Sequence, residues 1–194
     1  MEVRTFVGAA VSAHIADLAR LRIEVFREYP YLYDGSLEYE AEYLAGYAKS
    51  PRSVFAVAFD GPRVVGASTG MPLTDETPAF QQPFVSRGVP LESVFYFAES
   101  VLQASYRGQG LGHRFFDLRE AHALAHGFPL TAFCAVERPD DHPRKPLAHR
   151  ENDAFWAKRG YVKQPNMTCE LEWKDLDEAQ ASKKKLCFWM RSWP

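Results

Sequence analysis

Apolar positions along the chain switch period often enough to divide it by pattern alone. Glu2 to Val7 alternates, with Val3, Thr5 and Val7 on one side, as an edge strand does. Ala10 to Tyr29 changes to helical spacing. Ile15, Leu18, Leu21, Val25 and Phe26 fall on one face, Ser12 is placed to cap the start, and Pro30 stops the helix. An Asp34-Gly35 turn follows, and Leu37 to Lys49 is a second amphipathic helix, ended before Pro51. Ser53 to Phe59 and Arg63 to Met71 predict a hairpin through Asp60-Gly61-Pro62. Pro72 to Glu92, rich in Pro, Gln and Thr, is an excursion with room for one short helix. Val94 to Gln103 predicts a strand. Leu111 to His126 predicts a helix with Leu111, Phe115, Leu118, His122 and Ala125 in one stripe, and Leu130 to Val136 another strand. A polar loop with three prolines spans Arg138 to Arg150, and Asn152 to Arg159 is a short helix. Tyr161 to Trp173 and Lys185 to Trp193 are late strands joined by the polar segment Lys174 to Lys184. The order is β-α-α-β-β-β-α-β-α-β-β, a mixed α/β chain. There is no internal repeat, low-complexity tract or linker, so residues 1–194 read as a single domain.

Composition narrows the partners. Hydrophobic residues make up 46% and charged residues 25%, an ordinary globular balance. A formal net charge of -2 gives no general attraction to nucleic acid or to anionic membranes, so neither is expected as a partner. The only basic run, Lys183 to Lys185, reads as a solvated loop. Cys134, Cys169 and Cys187 are widely spaced and form no CxxC pair. That disfavours a disulfide framework or a zinc cluster and fits a reducing, cytoplasmic setting. The N-terminus lacks the pattern of a signal peptide, and no apolar run reaches the ~18 residues a membrane span needs.

The stretch SVLQASYRGQGLGHRFF carries the candidate chemistry: a strand end, a glycine-rich turn and a helix start. Gly108, Gly110 and Gly112 let the backbone approach a ligand closely, and the helix N-terminus favours a phosphate. It is not a P-loop, because no Lys-Ser/Thr pair follows the glycines. Nor is it a dinucleotide fingerprint, because the spacing is GxGxG and the motif lies past the middle of the chain.

Arg107, Gly110 and Gly112 do fit the pattern [RQ]xxGx[GA], which resembles the pyrophosphate-binding motif of the GNAT acetyltransferases. Leu102 to Tyr106 resembles that family's V-x-P-x-Y lead-in, with Ala104 where proline is usual, and Lys158-Arg159-Gly160-Tyr161 resembles its K-x-G-[FY]. The element order matches across residues 2–193. The resemblance implies a mixed, mostly antiparallel central sheet with flanking helices, and acetyl-CoA as cofactor. Leu102, Gln103 and Ala104 would pair with the pantetheine arm as an added strand would. The N–H groups of Arg107, Gly108, Gln109, Gly110, Leu111 and Gly112 would wrap the pyrophosphate, and Asn152 would meet the cofactor from the following helix. The strand at Leu130 would splay from the strand at Val94, opening the slot where acyl group and amine meet. The acceptor implied is a primary amine. A small-molecule amine is favoured because the tyrosine-rich loop Tyr29 to Tyr33 and the excursion could close a groove. A protein lysine or N-terminus, and a non-catalytic acyl-CoA-binding module, are the alternatives.

Acetyl transfer by direct attack needs a deprotonated amine, a polarised carbonyl and a protonated leaving thiolate. An alkyl amine titrates near ~10.4, so a base or a desolvating site is required. Glu99 interrupts the apolar run VFYFAESVL and is the candidate base or ammonium anchor. The family's usual acid, a tyrosine four residues before the glycine at the end of the last helix, falls on Trp156, which cannot serve. Tyr31, Tyr33 and His142 are the candidates to replace it. Cys134 offers a covalent route but reads as a core cysteine. His122 and His126 have metal-ligand spacing without a third ligand, so no metal is expected. Trp173, Trp189 and Trp193 read as core or sheet-face residues, with a homodimer interface as the alternative.

Overall fold

The computed structural model describes residues 1–194. In chain order the elements are β1 (Glu2–Val7), α1 (Ile15–Phe26), α2 (Leu37–Lys49), β2 (Val54–Asp60), β3 (Arg63–Pro72), α3 (Pro78–Val85), β4 (Val94–Leu102), α4 (Leu111–Ala125), β5 (Leu130–Val136), α5 (Asp153–Lys158), β6 (Val162–Trp173) and β7 (Ser182–Ser192). The strands form one seven-stranded sheet in the order β1-β2-β3-β4-β5-β7-β6. Every pairing is antiparallel except β4 with β5. This is the mixed, mostly antiparallel sheet expected, with α3 as the short helix of the excursion.

Alternation along the strands sends side chains to two cores. Phe55 and Val57 of β2, Ala67 of β3 and Val101 of β4 pack against Leu18, Leu21 and Leu44 of α1 and α2. On the same face Tyr96, Cys134 and Phe188 pack against Phe80 and Phe84 of α3. The opposite face carries Phe95, Phe97, Phe133 and Trp189, covered by Phe116 of α4 and by α5. Helices on both faces leave the central strands with little polar surface, which is why β2 and β4 read as near-continuous apolar runs.

Several local expectations are corrected. A 3-10 turn, Gly8–His14, precedes α1, and Ser12 Oγ donates back to Ala9 O at 2.6 Å instead of capping a helix. The buried stripe of α4 is rotated: Phe116, Arg119, Glu120 and Ala123 join Leu111 and Phe115, while Ala125 is exposed. The lysine run lies within β7 and not in a loop. Its alternation exposes Lys183 and Lys185 and buries Lys184, whose Nζ sits 2.8 Å from Glu178 and 3.5 Å from Asp175.

Two irregularities shape the centre of the sheet. β4 pairs with β5 only through Val94–Leu130, Phe95–Thr131 and Tyr96–Ala132, after which β4 continues to Leu102 and β5 follows β7 to Val136. Beside this split, β4 is bulged. Gly70 opposes Phe97 and Ser68 opposes Ser100, so Thr69 alone faces both Ala98 and Glu99. The extra residue lets Ala98 pack into the α1–α3 face while Glu99 turns to the same side and meets Arg22 of α1.

Candidate active site

β4 ends where its backbone bonds change direction. The Gln103 N–H donates to Val65 O of β3 at 3.0 Å, so strand alternation turns the Leu102 backbone to the opposite edge, where β5 has parted. The Leu102 carbonyl accepts from Arg107 Nε at 3.0 Å. Ala104 has already left the extended conformation. It opens a 3-10 turn, Ala104–Tyr106, and its carbonyl accepts the Arg107 N–H at 3.2 Å. Tyr106 fastens this turn to the β2–β3 hairpin through a 2.7 Å bond to Asp60.

The glycine turn follows. Arg107 is extended (φ -71°, ψ 159°) and Gly108 is left-handed (φ 75°), a backbone that favours glycine. Gly110 (φ 84°) stands before the first residue of α4. The Gln109 amide donates to Ser105 O at 3.1 Å, and Leu111 anchors the helix start in the core beside Phe115. The N–H groups of Gly108, Gly110, Leu111, Gly112 and His113 meet no acceptor within the chain, and the first bond of the helix is Arg114 N–H to Gly110 O at 3.1 Å. A Cβ at Gly108 or Gly110 would meet nothing within 4 Å, and one at Gly112 would meet only Phe155 of α5, at 3.6 Å. Free donors over open space, at the N-terminus of a 15-residue helix, are the arrangement that suits an anion. The Arg107 N–H does not belong to it, being bonded to Ala104 O, and its guanidinium is held by Glu28 at 2.7 Å. The His113 N–H is one of the free donors and lies one residue beyond the motif that ends at Gly112. Asn152 stands at the N-terminus of α5, the helix whose Phe155 faces Gly112, with no side-chain hydrogen bond of its own. Gly160, of the Lys-Arg-Gly-Tyr match, ends α5 in the left-handed conformation (φ 83°), and Tyr161 is a core residue bonded to Thr131 and Glu120.

On the other face, beside the split, lies a buried polar cluster. Glu99 is 8% exposed, and its Oε2 lies 2.5 Å from Arg22 Nη1. Arg22 Nε donates to Glu40 of α2, and the guanidinium stacks on Tyr43, 4.4 Å from the ring centre. Burial opposes the Arg22 charge, but Glu99, Tyr43 and Glu40 outweigh it and push its pKa above the usual value. Two carboxyl groups, Glu40 and Glu99, thus share one guanidinium. A further carboxyl stands close by: Glu76, 6% exposed, accepts hydrogen bonds from the Tyr47 hydroxyl and, at 2.8 Å, from the Thr77 N–H. Burial pushes the Glu76 pKa up to about 7, against the Thr77 bond and with the help of Glu99. No motif flags Glu76. Its only sequence signal is an acidic residue in an excursion otherwise rich in Pro, Gln and Thr.

The α1–α2 loop forms the rim of this face. Arg138 donates to Pro30 O and Tyr31 O, both at 2.8 Å, and pairs with Asp175 at 2.7 Å. Trp173 Nε1 donates to Tyr31 O at 3.1 Å, and the Leu176 N–H to Leu32 O at 2.8 Å. The candidate acids separate here. Tyr31 lies in electrostatic reach of Cys134, Arg22 and Glu99, and burial pushes its phenol pKa up. Tyr33 points to α2, its pKa raised by burial and by Glu40. His142 packs on Tyr29 at 5.7 Å and accepts the Arg144 N–H at 3.2 Å, with no contact to Glu99. Tyr31 thus packs inward between Phe26 and Trp173, and His142 stays on the outer loop.

Cys134 is buried, its Sγ 3.1 Å from the Tyr96 hydroxyl, and burial pushes its pKa well up, so a thiolate nucleophile is disfavoured. His122 lies 2.9 Å from Arg52 O and packs against His126, and no group of ligating side chains could hold a metal. Trp156 packs between Phe133 and Trp189 in the core. No helix is long and apolar enough to cross a membrane.

No protein-family model and no curated protein sequence matches the chain. Solved structures do match along its whole length. Ribosomal-protein-alanine N-acetyltransferase from Brucella melitensis superposes with a TM-score of 0.65 at 12% identity, covering 99% of each chain. A protein assigned to the GNAT family from Desulfovibrio desulfuricans gives 0.58 at 12% identity, over 98% of this chain and 99% of that one. The PaiA N-acetyltransferase of Thermoplasma acidophilum, solved in complex with coenzyme A, gives 0.59 at 10% identity over 100% of both. At these identities the likeness is one of architecture, and the fold of this chain is the GNAT fold.

Proposed function

We propose that the chain is an N-acetyltransferase that moves the acetyl group of acetyl-CoA to a primary amine of a small molecule, by direct attack within a ternary complex. The observation that carries this reading is the run of unpaired N–H groups over open space from Gly108 to His113, placed beside the split between β4 and β5. The donors suit a pyrophosphate, and the edge of β4 at Leu102 suits the amide groups of a pantetheine arm. Gln103 shapes the approach with its N–H already spent on Val65 O, and Ala104 follows it into the turn. Leu111 seats the helix, and Asn152, at the N-terminus of α5, is proposed to meet the cofactor. Acetyl-CoA supplies an activated thioester, and the chain supplies position and charge. Glu99 holds the substrate ammonium, because it shares the single guanidinium of Arg22 with Glu40. Tyr31, kept protonated by burial, offers its hydroxyl to the departing sulfur. The strapped loop over this face supports a small acceptor over a protein segment.

The test is a thermal-shift titration with CoA, ATP and NAD, followed by a thiol-release screen across amines, amino acids, polyamines and peptides. Ligand at a hundredfold excess over Kd raises stability by about 2.7 kcal/mol. CoA alone is expected to stabilise the chain, and Glu99→Gln is expected to raise KM for the amine with CoA affinity unchanged. No shift with millimolar CoA rules the reading out, and turnover of peptides alone moves it to a protein acceptor.

A further inference from the structure

The geometry points to Glu76 as the group that takes the proton from the substrate ammonium, a role that rests on the acetyltransferase reading. Glu99 is the less suitable acceptor because Arg22 already occupies its Oε2. Glu76 follows the 3-10 turn Leu73–Asp75, is bonded to Tyr47 of α2, and lies in electrostatic reach of Glu99. Its surroundings come from every element at the split. Tyr43 and Tyr47 approach from α2, Tyr96 and Glu99 from β4, and Cys134 from β5, where the Tyr96 hydroxyl and the Cys134 thiol meet at 3.1 Å. Asp75, the neighbouring acid, is turned away to Ser50 at 2.5 Å. No cation pairs with Glu76. Its two oxygens accept one bond each, from Tyr47 and Thr77, so lone pairs remain for a third donor. Tyr43 donates to Tyr47 at 3.0 Å, and Tyr47 donates to Glu76, so the carboxylate is fixed by a chain of hydroxyls running back to the ring beneath Arg22.

The proton balance is complete with these groups. The ammonium gives one proton to a Glu76 oxygen and becomes a free amine. Its nitrogen bonds to the acetyl carbon as the carbon–sulfur bond breaks. The second nitrogen proton leaves with the thiol, and the proton on Glu76 returns to solvent after the products depart. A carboxyl that titrates near 7 is matched to this task at neutral pH, where it is still partly ionised and yet basic enough to hold a proton.

The test uses the full chain, CoA titrations and pH-rate profiles with an amine found by the thiol-release screen. The unmutated chain is expected to show an acidic limb of kcat/KM near pH 7. Glu76→Gln, which keeps the shape and the bond from Thr77, is expected to bind CoA normally and lose kcat by ~10²–10⁴-fold at pH 7, recovering as pH rises and free amine accumulates. Tyr47→Phe removes a bond to the carboxylate form and is expected to move the acidic limb to higher pH. A purely structural role for Glu76 would move neither. Wild-type kcat in Glu76→Gln across pH 6–9 overturns the proposal, and so does an unmoved limb in Tyr47→Phe. If Glu76→Gln does not fold, the Tyr47→Phe limb decides alone. Failure of the unmutated chain to bind CoA is a separate result, which removes the acetyltransferase reading and this one with it.

Discussion

Glu76 shows what holding a titratable group in a dry site costs at the scale of one residue. Its carboxyl has an ordinary pKa of 4.5 and is pushed to about 7 in the folded chain. Between those values the folded state binds more protons than the unfolded state, so the Glu76 contribution is intact below pH 4.5 and is lost as pH rises through 7. The separation corresponds to about 3 kcal/mol. Urea titrations of the chain and of Glu76→Gln at pH 5 and pH 8 check this. The variant is expected to gain on the parent by most of that amount at the higher pH, and a constant difference would show that Glu76 ionises freely. The pattern of apolar positions does not reveal such a residue. Glu99 is visible because it breaks an apolar strand, whereas Glu76 sits in a segment without a period, and only the fold shows what faces it.

At the scale of the element, the glycine turn separates two uses of the same residue type. Gly110 needs its left-handed backbone, and Gly112 lies in ordinary helical conformation with only Phe155 near the missing Cβ. Gly110→Val is therefore expected to cost about 1–2 kcal/mol of stability as well as CoA affinity. Gly112→Val is expected to weaken CoA at least tenfold with little change in melting temperature. CoA calorimetry on both variants decides, and unchanged affinity in Gly112→Val would give that glycine a packing role alone. This turn was legible from its short motif, and α2 and β5 from periodicity, down to their end residues. α4 was misread in phase because its buried stripe includes charged side chains. Arg119 reaches across to Thr69 O and Glu99 O, at 3.2 and 3.1 Å, and clamps the β4 bulge from behind, while Glu120 receives Arg159 and Tyr161. Polar residues that satisfy each other in a core defeat a hydrophobic count. Lys184 misled for the same reason, since its partners Asp175 and Glu178 lie in the loop before β7.

The whole molecule is two sub-sheets, β1 to β4 and β5-β7-β6, stitched by three residue pairs. The edge left open is the one the cofactor reading fills, so ligand binding is expected to register as protection of a seam. Amide exchange at Leu102, Gly110 and Gly112 is expected to slow at least tenfold with saturating CoA, while Gln103, already bonded to Val65, changes little. Uniform slowing across both sub-sheets would place the ligand elsewhere. The short seam also bears on how the chain unravels. The β1–β4 half contains its own hairpin and both N-terminal helices, and it meets the other half through few backbone bonds. What holds the halves together without ligand is therefore side-chain packing across the seam, Tyr96 against Cys134 and Phe188 on one face and Phe97 against Phe133 and Trp189 on the other. A bound arm that bridges both edges would add backbone bonds to that packing and weld the seam further.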